Sequence, residues 1–173
     1  MIKKMTIDFH THIFPDAVAL HAIPALEAKA AVKAALNGTV HDLLQSMDRH
    51  HISQSVVCSI ATTPQQFPPI LDWSQAMATD RIIPLPSVHP ASASVLEELQ
   101  TIHDHGFLGI KLHPDYQDFF LDEDRLLPLF EKCAELGLFI VLHCGYDIGF
   151  PKEERANPQQ IKHLITTVPS LKL

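Results

Sequence analysis

Two imidazoles two residues apart, His10 and His12, close the segment Met5-Thr6-Ile7-Asp8-Phe9-His10-Thr11-His12. In a strand, alternate side chains share a face, so both rings point the same way, about 6.5–7 Å apart along the backbone. Rings placed like this can converge on one cation. The bland alternative is a pair of surface histidines in a loop. Met5, Ile7 and Phe9 alternate with Thr6 and Asp8, which predicts a strand whose apolar face packs on helices and whose polar face carries the histidines. Metal binding is therefore expected of the pair. His143 follows the apolar run Leu138-Phe139-Ile140-Val141-Leu142, so it stands at the end of a strand buried on both faces. As a third ligand it would complete a three-histidine site with one position open for water. The alternative for His143 is a backbone cap on its strand. Cys144 beside it points to the opposite face, so a Cys–His nucleophilic pair is set aside.

A second constellation lies in Gly109-Ile110-Lys111-Leu112-His113-Pro114, where Gly109, Lys111 and His113 share a face. An ammonium turned into a protein needs an anion. Three uses compete for Lys111: a salt bridge to a carboxylate such as Asp8, an anionic substrate, or reaction with carbon dioxide to give a carbamate bridging two metals. Lys111 is taken as the candidate catalytic residue. His113 and His89, the latter in Ser87-Val88-His89-Pro90, are expected to contact substrate. His41, His50, His51, His103, His105 and His163 fall on helices or at their ends, where solvated or dipole-complementing roles are usual. His21 has no informative spacing.

These residues need a frame to hold them. Strand candidates are Met5–Phe9, Gln54–Ile60, Arg81–Val88, Phe107–His113 and Leu138–His143, the third weakened by Pro84 and Pro86. Helical spacing appears in Val40–His50, Gln65–Thr79, Ser94–His105, Asp122–Leu136 and Pro158–Val168. Pro128 is expected to kink or separate the first turns of the fourth of these, and Asn157 to cap the last. Strand and helix alternate, which builds a parallel sheet. The exception is Pro15–Gly38, an Ala-rich insertion read as one or two helices interrupted by Pro24 and as a candidate lid. No glycine-rich turn follows the first strand, against an open nucleotide-binding sheet. The expected fold is α/β, of the (β/α)8 TIM-barrel type. A whole barrel takes about 250 residues, so only its first five units fit here, with Leu171-Lys172-Leu173 as the start of a sixth strand.

The chain has 173 residues, 46% of them hydrophobic, which predicts one folded domain over 1–173. Its formal charge of −7 disfavours nucleic acid as a partner. Cys58, Cys133 and Cys144 form no disulfide framework and suggest a reducing compartment. The basic start lacks the apolar core of a leader, and no run approaches the roughly 18 apolar residues of a membrane span. A cytoplasmic protein acting on a small molecule is expected.

Taken together, Ile7-Asp8-Phe9-His10-Thr11-His12, Gly109-Ile110-Lys111-Leu112-His113-Pro114 and Val141-Leu142-His143-Cys144-Gly145 resemble the amidohydrolase superfamily. The likeness is greatest to the branch of aminocarboxymuconate-semialdehyde decarboxylase and related metal-dependent hydrolases, and runs in order along essentially the whole chain. The resemblance implies a (β/α)8 barrel with a divalent metal, usually zinc, at its C-terminal mouth, held by His10, His12 and His143. It implies C–N or C–O hydrolysis, or in some members non-oxidative decarboxylation, of small and often anionic substrates. Family members carry a further histidine after strand six and a proton-accepting aspartate after strand eight, positions that lie past Leu173. A shortened chain, or a homo-oligomer that covers the open barrel edge, is expected in consequence. Metal-dependent hydrolysis through activated water is the leading expectation. Its rivals are decarboxylation at the same metal, a phosphoesterase of the polymerase-and-histidinol-phosphatase type, and a catalytically silent metal-binding or interaction module.

Overall fold

Strand and helix alternate through residues 5–173, the residues described by the computed structural model of this chain. Met1–Lys4, the basic start read for a leader, lies outside them. Among the described residues the strands are β1 (Ile7–Thr11), β2 (Gln54–Cys58), β3 (Ile82–Leu85), β4 (Gly109–Leu112) and β5 (Phe139–Leu142). The helices are α1 (Asp16–Ala30), α2 (Val40–Arg49), α3 (Phe67–Met77), α4 (Val95–Asp104), α5 (Pro114–Gln117), α6 (Leu127–Leu136) and α7 (Pro158–Thr167). Every strand pair is parallel, in the order β1-β2-β3 and β4-β5.

The seam between the two sheets lies where the prolines predict weakness. Proline offers a carbonyl but no N–H to a ladder. The Lys111 N–H donates to the Pro86 carbonyl at 2.9 Å, and the Ser87 hydroxyl donates to the Lys111 carbonyl at 2.8 Å. These bonds carry the curve of the sheet across from β3 to β4. On the far side of β5, the Ile140 N–H donates to the Lys172 carbonyl and Phe139 bridges Lys172 in parallel, opening the sixth position. The architecture is thus the first five units of a (β/α)8 barrel and the beginning of the next.

Alternation along the strands sorts the core into layers. Val57 and Ile82 point outward onto Leu43 and Met47 of α2 and Met77 of α3. Ile110, Leu112 and Ile140 meet Leu99 and Ile102 of α4 and Leu129, Phe130 and Cys133 of α6. Each such fully buried aliphatic or aromatic side chain stabilises the fold by about 1.5–3 kcal/mol. On the inner face Val56, Cys58 and Leu85 are buried together, flanked by Ile83, Phe139 and Val141. Side-chain caps begin two of the helices, the one at Asn157 as expected. The Thr39 side chain caps α2, and Asn157 with Gln160 forms a reciprocal capping box on α7. A 3-10 turn at Asp124–Leu126 precedes α6, whose first turn holds Pro128.

Three details depart from the sequence reading. The first strand lies two residues later than expected and does not keep strict alternation. Asp8 pairs Ser55 while Thr11 pairs Val57, an irregularity that inserts an extra residue into β1. In consequence Met5, Ile7 and Phe9 do not pack on helices but are 64%, 39% and 54% exposed, and the Phe9 ring lies 6.0 Å from that of Phe139. Second, Pro24 does not divide the insertion: α1 runs through it as one helix. The carbonyl four residues earlier, on Leu20, belongs to an exposed residue and can turn to solvent. Third, α5 is a short helix that the strand-and-helix periodicity did not predict.

Candidate metal centre

The candidate residues gather where the strands end. His12 follows β1, His113 follows β4 and His143 follows β5, the C-terminal face at which barrels of this kind place their chemistry. Donor atoms of His113, His143 and Asp147 lie within 4.8 Å of one another. The His113 and His143 rings stack with centroids 4.0 Å apart and planes within 13°. His113 Nε2 faces Asp147 Oδ2 at 3.4 Å. The buried His143 Nε2 has no hydrogen-bond partner.

His10 and His12 stand beside this group, their ring centroids 5.0 Å apart. They do not belong to that group of three mutually close donors. His12 Nδ1 lies 2.7 Å from the Cys58 carbonyl, which can only accept, so the proton is on Nδ1 and the Nε2 lone pair is left free. Burial pushes His12 down to about 4 and His113 down to about 3, and the positive charges of neighbouring histidines and Lys111 push the same way. Burial, then Lys111 and His143, also lowers His10. Near neutral pH these rings are uncharged, the form that ligates metals. Unprotonated imidazoles, an unpartnered buried nitrogen and a carboxylate together fit a divalent cation.

Lys111 is fully enclosed and its Nζ has no hydrogen-bond partner. No ion pair to it forms among the described residues, so the pairing with Asp8 weighed above is not made. Asp8 Oδ1 instead accepts from the His10 backbone N–H at 3.3 Å. Burial lowers the Lys111 ammonium. His89 is not gathered with the others: its Nδ1 accepts from the Ala91 N–H, and its charged neighbours are Arg125 and Asp118.

The backbone of the site is fixed by one buried amide. Gln117 Oε1 accepts from the His113 N–H, while its Nε2 donates to the Ala61 and Val88 carbonyls. One side chain on α5 thereby ties together the segments that follow β2, β3 and β4. Tyr116 meets His113 edge-on at 4.7 Å and Phe150 at 4.8 Å. Lys29, in the last turn of α1, sits 3.3 Å from the Phe150 ring centre and 4.6 Å from that of Tyr116. The tip of the insertion thus rests on the wall of the site.

Two residues of this cluster escaped the sequence reading. Asp147 lies in the turn Gly145-Tyr146-Asp147-Ile148-Gly149, where no periodicity assigns a direction; its only signal is a position four residues past His143. Asp115 opens α5, an element absent from the expected frame.

The Amidohydrolase family profile matches residues 7–173. No curated protein matches. Among solved structures, 5-carboxyvanillate decarboxylase from Sphingomonas paucimobilis is 15% identical, with a TM-score of 0.73 over 98% of this chain and 66% of that one. A 5-carboxyvanillate decarboxylase from Novosphingobium aromaticivorans, complexed with manganese and 4-hydroxy-3-methoxy-5-nitrobenzoic acid, is 18% identical, with a TM-score of 0.57 over 81% of this chain and 50% of that one. Dihydroorotase from Campylobacter jejuni is 15% identical, with a TM-score of 0.52 over 97% of this chain and 46% of that one. The chain spans between about half and two thirds of the length of these structures.

Proposed function

The chain belongs to the amidohydrolase family, and from that membership we propose that it carries the metal-holding part of an enzyme that hydrolyses a small anionic substrate. The observation that supports this reading is the convergence of His143, with its unpartnered Nε2, on His113 and Asp147, next to the His10–His12 pair. His10, His12 and His143 are the proposed ligands, with His113 and Asp147 within reach of the same ion. Zinc suits this nitrogen-rich set; manganese is the alternative, being the metal in one similar structure. When bound, a divalent ion polarises a substrate oxygen and acidifies water.

The protein's own side chains supply the rest. Lys111, buried without a counter-charge, would bind the substrate's anionic group and stabilise negative charge as it develops. His113 would line the same mouth, and His89 would meet substrate at its outer rim. The insertion would act as a lid, its tip held by the Lys29 contact with Phe150 and Tyr116, and would keep water from the reacting group.

A second reading, non-oxidative decarboxylation at the same site, is favoured by the two decarboxylases among the similar structures. Metal content and product analysis on one preparation test both. His143→Ala is expected to lower bound divalent metal at least tenfold, whereas the exposed His163→Ala leaves it unchanged. Retained stoichiometric metal in His143→Ala would remove the ligand assignment. With a panel of aromatic and heterocyclic carboxylates, amides and lactones, carbon dioxide release without water uptake identifies a decarboxylase. Uptake of labelled oxygen from water identifies a hydrolase.

A further inference from the structure

Two buried atoms beside the metal centre lack hydrogen-bond partners among the described residues and face each other. They are His113 Nδ1 and Asp115 Oδ2, 4.0 Å apart on side chains 5% and 3% exposed. That distance is too long for a hydrogen bond, and closing it by about 1 Å satisfies both groups at once. The other nitrogen of the same ring, Nε2, faces Asp147 on the side of the donor cluster. The ring therefore stands between two carboxylates, one at each nitrogen.

A neutral imidazole carries one proton, so one nitrogen donates and the other offers a lone pair. With the proton on Nε2, the Nδ1 lone pair would face a carboxylate oxygen inside the protein, two acceptors with no donor between them. With the proton on Nδ1, Asp115 accepts it, and the Nε2 lone pair then faces Asp147 Oδ2 at 3.4 Å. That carboxylate is 20% exposed and can turn to water or share a cation with the ring, which the 3% exposed Asp115 cannot. Arg155 stands behind the carboxylate, its Nε 4.0 Å from Asp115 Oδ1, and is itself held by Asp118 and Glu153. We infer that Asp115 is a positioning residue that sets the tautomer of His113 and presents its Nε2 to a cation shared with His143 and Asp147. This assignment rests on the metal-centre reading above, but its test separates the two.

Protein labelled with 15N-histidine is followed by long-range 1H–15N NMR, metal-free and then titrated with Zn2+ alone, with His113→Gln used only to assign the resonance. His113 is expected to be protonated at Nδ1 in both states. Asp115→Ala is expected to move the proton to Nε2 and weaken Zn2+ binding about 10–100-fold. Asp115→Asn, whose carbonyl still accepts, should retain the Nδ1–H form. Asp118→Ala, which removes an exposed partner of the same Arg155, should change neither readout. An Nε2–H ring in the wild-type protein, or an unchanged tautomer in Asp115→Ala, overturns the assignment. The wild-type tautomer is read without metal and decides the matter even where a variant fails to fold. If Zn2+ does not bind at all, the functional reading falls, while an Asp115-dependent Nδ1–H form still upholds the positioning role.

Discussion

Lys111 couples stability and chemistry in one side chain. Its ammonium is enclosed without an anion among the described residues, a costly arrangement for a charged group. A thioether of similar reach avoids that cost. Lys111→Met is therefore expected to raise the free energy of unfolding by about 1–4 kcal/mol while abolishing affinity for small carboxylates. Urea denaturation and ligand titration on the same variant check the two halves, and an unchanged or lower midpoint would mean that the charge is already compensated. The inward direction of Lys111 was legible, because alternation through Gly109–His113 places it with His113. Its lack of a partner was not legible. Asp8 lies before an extra residue in β1, and its carboxylate turns to the backbone of His10.

At the scale of elements, the β4–β5 pair shows what close approach demands. A Cβ built on Gly109 would collide with the Phe139 carbonyl oxygen and crowd the Phe139 side chain, so only a bare backbone lets these strands pair in register. Gly109→Ala must push β5 outward, and it is expected to destabilise the protein by about 3 kcal/mol, the upper end of overpacking costs. A thermal or urea midpoint measures this, and a loss under about 0.5 kcal/mol, the ordinary surface range, would show that the strands slide apart easily. Long elements were readable from period alone, since apolar residues recur at helical spacing in α2, α4, α6 and α7. The four-residue α5 is too short for a period, yet it carries Asp115, Tyr116 and Gln117, which brace the site. The split of the sheet at Pro86 was half legible: proline signals a weak strand, but not that a serine hydroxyl and one amide would carry the curve onward.

For the whole molecule, the cysteines report burial. Cys58 and Cys133 are buried and Cys144 is exposed. Burial pushes the Cys58 thiol up to about 11 and that of Cys133 up to about 12. A thiol reagent at pH 8 is expected to modify one cysteine quickly in the folded protein and three after unfolding. The folded state holds these two protons at pH values where the unfolded chain has begun to lose them. Their contribution to stability is thus complete below about pH 9 and is lost as pH rises towards 11 and 12. Melting temperature should fall across that alkaline range, less steeply in the Cys58→Ala, Cys133→Ala double variant; equal slopes would contradict the burial.

Residue type and period, read along the chain, were enough to specify the parallel strand–helix frame, the barrel class and the histidines at the strand ends. Those properties depend on neighbours two to four positions away, and hydrophobic burial then leaves few ways to stack the elements. Which donors meet depended on distances between segments remote in sequence, and only the tertiary structure decided that. The extra residue in β1, the seam at Pro86 and the turn after β5 each move a side chain by ångströms. A metal centre is sensitive at that scale, and here His113, His143 and Asp147 form the mutually close group while His10 and His12 pair with each other.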